Sequence, residues 1–446
     1  MEYDLFVIGG GSAGLSISRR AAETYGMKVA LADKGPLGGT CVNNGCIPKK
    51  MLYNAAFLYT EGRFLYQKSN LAFNWEEFRL KRDKYIAFLN SMYSQRNERH
   101  QITLFSGSAF LKGKKVTISD CEYTAARIVV ATGSFPALPQ CPGQDLVLTS
   151  DDFFRFNHIP KSVVLIGAGY ISIETAFVLA HFKCQVSLVA RSSGVLRVFD
   201  SLIRSEVLDS LLKAGVKVFD KTKLVEVSKV VGSELKEVVL ERNGLVERLQ
   251  VEEVISAIGR KADTRSLGEE IVRDEKGFVK TDESFGTSVP GVFAIGDVAM
   301  PEHMLTPVAI FTGRRLADCW YGQGSANVKR LISYVPTVVF SHPPSGTVGY
   351  TEELSLSNFN DTKSLLVEVM HPSSVLIPEA AKNKYKFVFG QTTDQIYGIH
   401  MHGYECDETL QGFAVLARNK QSFSKLIEYA AFCGVSLSDF LSGIIE

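Results

Sequence analysis

Cys41 and Cys46 stand five residues apart in the run Leu37-Gly38-Gly39-Thr40-Cys41-Val42-Asn43-Asn44-Gly45-Cys46-Ile47-Pro48-Lys49-Lys50. Two thiols at that spacing can form a bridge that opens and closes in a redox reaction. In a regular α-helix five residues rise about 7.5 Å, beyond the roughly 4.4–6.8 Å between the Cα atoms of a disulfide. A bridge here therefore requires a locally distorted helix. Gly45 permits the distortion, and Pro48 has no N–H to give to the carbonyl of Asn44. A strained bridge near a helix start is easily reduced, and one of its thiols should have a lowered pKa. Two unlinked structural thiols are the plain alternative. The other six Cys, at 121, 141, 184, 319, 406 and 433, are scattered. Neither a disulfide scaffold nor a structural metal site follows from that pattern.

A redox pair needs an electron carrier, and the elements around it predict two dinucleotide turns. Leu5–Ile8 is an apolar run that leads into Gly9-Gly10-Gly11-Ser12-Ala13-Gly14, a helical pattern to about Tyr25, and a second strand over Lys28–Ala32. The arrangement recurs at Val163–Ile166, Gly167-Ala168-Gly169-Tyr170-Ile171-Ser172 and Val186–Ala190. A strand, a GxGxxG turn and a helix place a pyrophosphate at the helix N-terminus, where glycines let the backbone approach. Ser172 stands where a third small residue is usual and is small enough to keep the packing. Counting 24 residues from Gly9 reaches Asp33, and the same step from Gly167 reaches Arg191. An acid there accepts from ribose hydroxyls, whereas Arg191, with Arg197 beyond it, would hold a 2′-phosphate. The first turn is thus expected to take an adenine dinucleotide without that phosphate and the second NADPH. Solvated surface charge is the plain reading of the two arginines.

Three further apolar strands run into glycine turns: Arg127–Ala131 before Thr132-Gly133, Val254–Ile258 before Gly259-Arg260, and Gly291–Ile295 before Gly296-Asp297. They suggest that the first nucleotide domain is interrupted by the second. From about Tyr334 the texture becomes alternating strands and late helices. The expected fold is α/β: two Rossmann-like domains plus a C-terminal α+β dimerisation domain. The expected boundaries are 1–133, 134–260, 261–333 (a return segment completing the first domain) and 334–446. The 446 residues carry 49 Lys and Arg against 48 Asp and Glu, and 46% are hydrophobic. A net charge of +1 excludes a nucleic-acid footprint and disorder. No run reaches about 18 apolar residues, so no membrane helix is expected. No signal peptide or retention address is read at either end, so a cytoplasmic location is expected.

The Cys run, both glycine turns, Ala131-Thr132-Gly133, Glu174, Ala257-Ile258-Gly259-Arg260, Ala294-Ile295-Gly296-Asp297 and Leu305-Thr306-Pro307-Val308-Ala309 together resemble the class I pyridine nucleotide–disulfide oxidoreductases over nearly the whole chain. The resemblance implies a homodimer with composite active sites, with FAD at Gly9, Gly11, Ser12, Ala13, Gly14, Asp33, Gly39, Thr40, Thr132, Gly133, Asp297 and Thr306. It implies NADPH at Gly167, Gly169, Ile171, Arg191, Arg197 and Gly259. Cys46 would face the flavin and Cys41 would attack the substrate disulfide. Lys49 would lie by the flavin and pair with Glu174, and Tyr170 would cover the nicotinamide pocket. A cation beside a ring that gains negative charge fits electrostatic stabilisation.

Within the family the details are most similar to the glutathione reductase branch. Arg19 and Arg314 match residues that take glutathione carboxylates, and Tyr93 matches one lining the disulfide cleft. Cations suit anionic glutathione disulfide. The alternatives are an NADPH reductase of thioredoxin or of another small disulfide, and a degenerate FAD- and NADPH-binding protein with weak activity. The match breaks near the C-terminus. The family closes with a His-Pro run and a Glu, and that His protonates the leaving thiolate in the partner subunit's site. Here Cys433 falls at the His and Ser438 at the Glu, with Asp439 beside it, and no His follows His402. Three readings stay open: water, Asp439 or Cys433 replaces the His; turnover is impaired; or His371 or His402 is repositioned.

Overall fold

Strands buried on both faces read as unbroken apolar runs, and strands joined through helices form parallel sheets. The computed structural model describes residues 2–65, 73–324, 327–370, 382–419 and 421–430. It divides into two compact units. The first comprises Met1–Met51, Trp75–Ala137 and Gly259–Ile332; the second comprises Leu52–Asn74, Leu138–Ile258 and the chain from Ser333 onward.

The first unit is built on a five-stranded parallel sheet in the order Val292–Ala294, Ala125–Val130, Tyr3–Ile8, Val29–Asp33, Thr103–Ser106. Tyr3–Ile8 pairs with both neighbours, Leu5 facing Val29 on one side and Arg127 on the other. Leu5, Phe6 and Val7 are wholly buried there. Burying a side chain of that size stabilises the fold by about 1.5–3 kcal/mol, so these central positions hold the sheet. The late strand Val292–Ala294 pairs with Ala125–Val130, so the chain returns to finish its first sheet. Helix Ser12–Arg19 follows the first strand and continues through a π-helical turn, Arg20–Thr24. Two long helices, Trp75–Arg99 and Thr306–Tyr321, complete the frame of the site.

The second unit holds a parallel sheet ordered Lys217–Phe219, Gln185–Val189, Ser162–Ile166, Glu253–Ser256, Leu148–Thr149. An antiparallel sheet of Lys223–Lys229, Lys236–Arg242 and Leu245–Val251 lies between its last strands in sequence. That insertion went unread in the sequence, because its strands carry many charges and show no long apolar run. A third, antiparallel sheet runs Thr337–Val339, Ser345–Gly349, Ile396–His402, Asn383–Gly390, Thr362–Val369. Helix Cys406–Arg418 packs on it through Leu410 and Phe413 against Phe387 and Met401. The expected α/β class with two parallel nucleotide-type sheets and an α+β C-terminal part is what the chain adopts. No helix among the described residues is long and apolar enough to cross a membrane.

Candidate functional site

In the first unit the turn after Tyr3–Ile8 is forced to be glycine. Gly9 has φ +109°. A Cβ there would sit 2.3 Å from the carbonyl oxygen of Ala131, and one on Gly14 would sit 1.8 Å from that of Gly9. The strand end and the helix start are therefore in backbone contact. The first N–H groups of Ser12–Arg19 are left to face an anion. Asp33 ends the second strand, and its carboxylate accepts from the N–H of Gly10 and, at 2.7 Å, from that of Gly35. A Cβ on Gly11 would meet nothing closer than the Cα of Gly39 at 3.8 Å, so that face of the turn is open. These residues fit an adenine dinucleotide such as FAD.

A polar chain ties two of the remaining expected FAD residues, Thr40 and Asp297, together. The Ser134 hydroxyl donates to the Asp297 carboxylate at 2.6 Å. Arg260 donates from Nε to the Ser134 hydroxyl at 2.7 Å and from Nη2 to Thr40 Oγ1 at 3.4 Å. Thr132 donates to the carbonyl of Asp263 at 2.6 Å. Sequence reading chose Thr40, Thr132 and Asp297 but missed Ser134 and Arg260, which connect Thr40 to Asp297. An Arg directly after a strand-end glycine was the signal available.

The redox segment is not one distorted helix. It is two helices, Gly39–Asn43 and Cys46–Leu65, separated at Asn44 and Gly45. A Cβ on Gly45 would come within 2.8 Å of the carbonyl oxygen of Thr40, so the break closes only around glycine. Pro48 lies in the first turn of the second helix, where no N–H is needed. The break lets the two thiols hydrogen-bond, with Cys41 half-buried and Cys46 exposed. The pair is asymmetric. The hydrogen bond from Cys41 lowers the Cys46 pKa to about 6, helped by Thr306, whose Oγ1 lies 3.4 Å from the sulfur, and by the Lys49 charge. The same interaction and burial push Cys41 up. Asn90 on helix Trp75–Arg99 donates to the Leu37 carbonyl at 2.7 Å and to Asn43 Oδ1 at 3.1 Å, which pins the segment.

Beside Cys41 is a cavity of about 310 Å³, lined among others by Arg19, Tyr93, Arg96, Thr306 and Arg314. All three expected substrate residues meet there. The Arg19 guanidinium lies over the Tyr93 ring, 4.6 Å from its centre. Burial and the neighbouring Arg96 charge lower the Arg19 pKa. Arg96 is itself held by a two-pronged bond to Glu23 at 2.5 and 2.6 Å. Arg314 reaches the same place because the helices Ser12–Arg19 and Thr306–Tyr321 touch at Gly313. A Cβ on Gly313 would stand 2.1 Å from Ser16 Oγ and 2.8 Å from the Ala13 carbonyl oxygen.

In the second unit Gly167 repeats Gly9: φ is +118°, and a Cβ would lie 2.4 Å from the carbonyl oxygen of Ala257. Gly169 faces open space, as a bound pyrophosphate requires. Ser172 is wholly buried, consistent with tight packing at the third small position. Tyr170 and Ile171 open helix Tyr170–His181, and the Tyr170 ring is exposed. Glu174 on that helix is buried and accepts from the Phe340 N–H at 3.0 Å. Arg191 and Arg197 are exposed on the loop after Gln185–Val189, as a phosphate site needs. These residues fit NADPH. Lys49, on the second redox helix, and Gly259, before Arg260–Ala262, belong to the first unit. His402 is wholly buried, bonded through Nδ1 to Ser345 at 2.9 Å, and burial lowers its pKa to about 3. It is no accessible proton donor. His371, Cys433, Ser438 and Asp439 lie outside the described residues.

Comparison with known proteins agrees with this chemistry. A family model described as pyridine nucleotide-disulphide oxidoreductase matches residues 3–313, and the dimerisation domain of that family matches residues 335–432. The chain is 34% identical over 444 residues to a glutathione reductase of Yarrowia lipolytica, covering 94% of this chain and 93% of that protein. It is 34% identical over 440 residues to a glutathione reductase of Schizosaccharomyces pombe, covering 93% and 92% respectively. Its cofactors are FAD and NADPH. A glycine-turned dinucleotide cradle, a polarised dithiol beside a cationic cavity and a second dinucleotide turn thus stand in a chain that belongs to the pyridine nucleotide-disulphide oxidoreductase family.

Proposed function

We propose that the protein reduces glutathione disulfide to glutathione with electrons from NADPH, as a homodimer in the cytoplasm. The observation that carries this is the cavity that brings Arg19, Tyr93 and Arg314 to the Cys41 thiol. Two arginines suit the carboxylates of an anionic tripeptide disulfide. Relatives named glutathione reductase over most of the chain support the substrate, and the match to a dimerisation domain supports the dimer. The domain division at 133, 260 and 333 is part of the same reading.

FAD, when bound, links NADPH to the dithiol by two-electron transfer. Asp33 and the turn at Gly9, Gly11, Ser12, Ala13 and Gly14 hold it, with Gly39, Thr40, Thr132, Gly133, Asp297 and Thr306 around it. Gly167, Gly169, Ile171, Arg191 and Arg197 would hold NADPH, Tyr170 would cover its pocket, and Lys49 would lie by the flavin. Arg19, Arg314 and Tyr93 dock the substrate so that Cys41 Sγ attacks one of its sulfurs. The Cys41 proton leaves with the first glutathione. The Cys46 thiolate then attacks Cys41 Sγ, closes the internal disulfide and expels the second glutathione as a thiolate. That product takes up a proton from water, Asp439 or Cys433, the donors expected in place of the familiar His.

The test is anaerobic reduction of the purified FAD-loaded protein by NADPH, followed by mixing with glutathione disulfide. Stoichiometric glutathione and reoxidation of the dithiol are expected. Reduction by NADPH with no glutathione formed would overturn the substrate assignment, and thioredoxin is the next substrate to try. General acid catalysis contributes roughly 10²–10⁴-fold, so the disulfide half-reaction should be the slower one.

A further inference from the structure

The loop that carries Arg191 and Arg197 is anchored from beneath by a buried charged cluster. Asp200 is wholly buried and closes the loop, three residues after Arg197. Its Oδ1 accepts from the Leu202 N–H at 3.0 Å, capping helix Ser201–Lys213, and from Lys386 Nζ at 2.9 Å. Its Oδ2 accepts from the Glu352 N–H at 2.9 Å. Lys386, on strand Asn383–Gly390, also pairs with Glu352 at 2.5 Å and donates to Ser201 Oγ at 3.2 Å. His400 on the adjacent strand stands 3.7 Å from Asp200 and bonds to Thr347 at 2.7 Å and to the Tyr350 carbonyl at 3.0 Å. Two further pairs tie the same helix to this part of the chain: Arg204 to Glu353 at 2.5 Å and Glu206 to Lys384 at 2.8 Å.

At its other side the loop is fixed to the glycine turn. The Leu196 N–H donates to the Ala168 carbonyl at 2.9 Å, with Leu196 held at φ +50°, and the Phe199 N–H donates back to the Leu196 carbonyl at 2.8 Å. Val195, Leu196 and Phe199 are buried, whereas Arg197 and Val198 point out. Arg197 therefore rides on a tight turn pinned at Ala168 and at Asp200. Of these two pins, the Asp200 one is set by a cation from the segment matched by the dimerisation model.

We infer that Lys386 is a positioning residue for the 2′-phosphate of NADPH: through Asp200 it holds the turn that presents Arg197 beside the glycine turn. This rests on the reading of Arg191 and Arg197 as the 2′-phosphate site. A neutral residue at 386 would leave the wholly buried Asp200 without the Lys386 cation, and a buried carboxylate that loses its partner rearranges or takes up a proton. The turn would then relax, and the cofactor that carries the phosphate would lose the most.

The experiment compares NADPH with NADH as donors to the full-length FAD-loaded protein, using a quinone acceptor so that no disulfide chemistry enters. Residues that touch neither ligand typically modulate coupling by 0.5–2 kcal/mol, or roughly two- to thirty-fold. Lys386→Met is expected to lower the NADPH-to-NADH ratio of kcat/KM by that factor, through KM for NADPH, with KM for NADH unchanged. Lys386→Arg should restore most of the ratio. Asp200→Asn keeps a side-chain oxygen for the helix cap, should lower the ratio likewise, and serves if Lys386→Met fails to fold. A fall in thermal stability with an unchanged ratio in either variant overturns the inference and leaves Lys386 a structural residue. The Arg191→Ala, Arg197→Ala double variant is the control. If the wild type does not prefer NADPH, or the control keeps that preference, the phosphate-site reading fails and the inference falls with it. If the control loses the preference and Lys386→Met keeps it, the inference alone fails.

Discussion

The two thiols differ because their surroundings differ. Cys46 begins a helix, receives a hydrogen bond from Cys41 and stands beside Thr306, so its charged form is favoured. A pKa lowered to about 6 leaves it a thiolate above that pH and protonates it below. The ultraviolet thiolate absorbance of the reduced protein should therefore titrate with a midpoint near 6, and it should vanish in Cys46→Ser. A midpoint near the ordinary thiol value of about 8.5 would contradict the asymmetry. The disulfide half-reaction should slow as the pH falls through the same midpoint. Arg19 and Arg314 act at the same scale. Hydrogen bonds to charged groups contribute about 1.5–3 kcal/mol each, so Arg19→Ala or Arg314→Ala should raise KM for glutathione disulfide about ten- to hundredfold. Steady-state kinetics would show KM for NADPH unmoved, and equal changes in both would point to misfolding instead.

Helices decide whether those side chains meet. Arg19 and Arg314 are distant in sequence, and they converge because Ser12–Arg19 and Thr306–Tyr321 approach closely enough for Gly313 to touch Ser16 and Ala13. Gly313→Ala would force the pair apart. Overpacking of this kind destabilises by about 1–3 kcal/mol. A lower thermal midpoint is expected together with a raised KM for the disulfide, while the Cys46 titration stays in place. An unchanged KM would mean that the helix contact does not set the distance between the arginines. The redox segment shows the same dependence: Gly39–Asn43 and Cys46–Leu65 are each regular, and the interruption between them brings the thiols together.

The molecule as a whole is expected to assemble as a pair of chains. Residues 335–432 match a dimerisation domain. Light scattering on the purified protein should give about twice the 49.1 kDa of one chain. A monomer that still turned over glutathione disulfide would remove the need for a composite site. Near-neutral charge, 49 cations against 48 anions, gives no long-range field to steer a partner. The cations that count are gathered locally, around Cys41 and on the loop after Gln185–Val189.

Local rules made much of this legible from the residues alone. Strand, glycine turn and helix are contiguous, so both dinucleotide turns could be read at Gly9 and Gly167, and the switch from Asp33 to Arg191 set which ligand each was expected to take. The Cys pair and its strained spacing were equally plain. What the sequence could not supply were relations between distant segments. Asn90 against Leu37, Arg260 against Ser134 and Thr40, Gly313 against Ser16, and Lys386 beneath Asp200 all join residues far apart along the chain. None has a periodicity or motif of its own. The break at Asn44 and Gly45 also escaped, because spacing alone demands a distortion without saying that the helix stops. Residue types and short spacings determined which chemistry the protein carries. Tertiary packing decided which thiol is charged and which cations surround the other, because burial and hydrogen bonding across the fold set those energies.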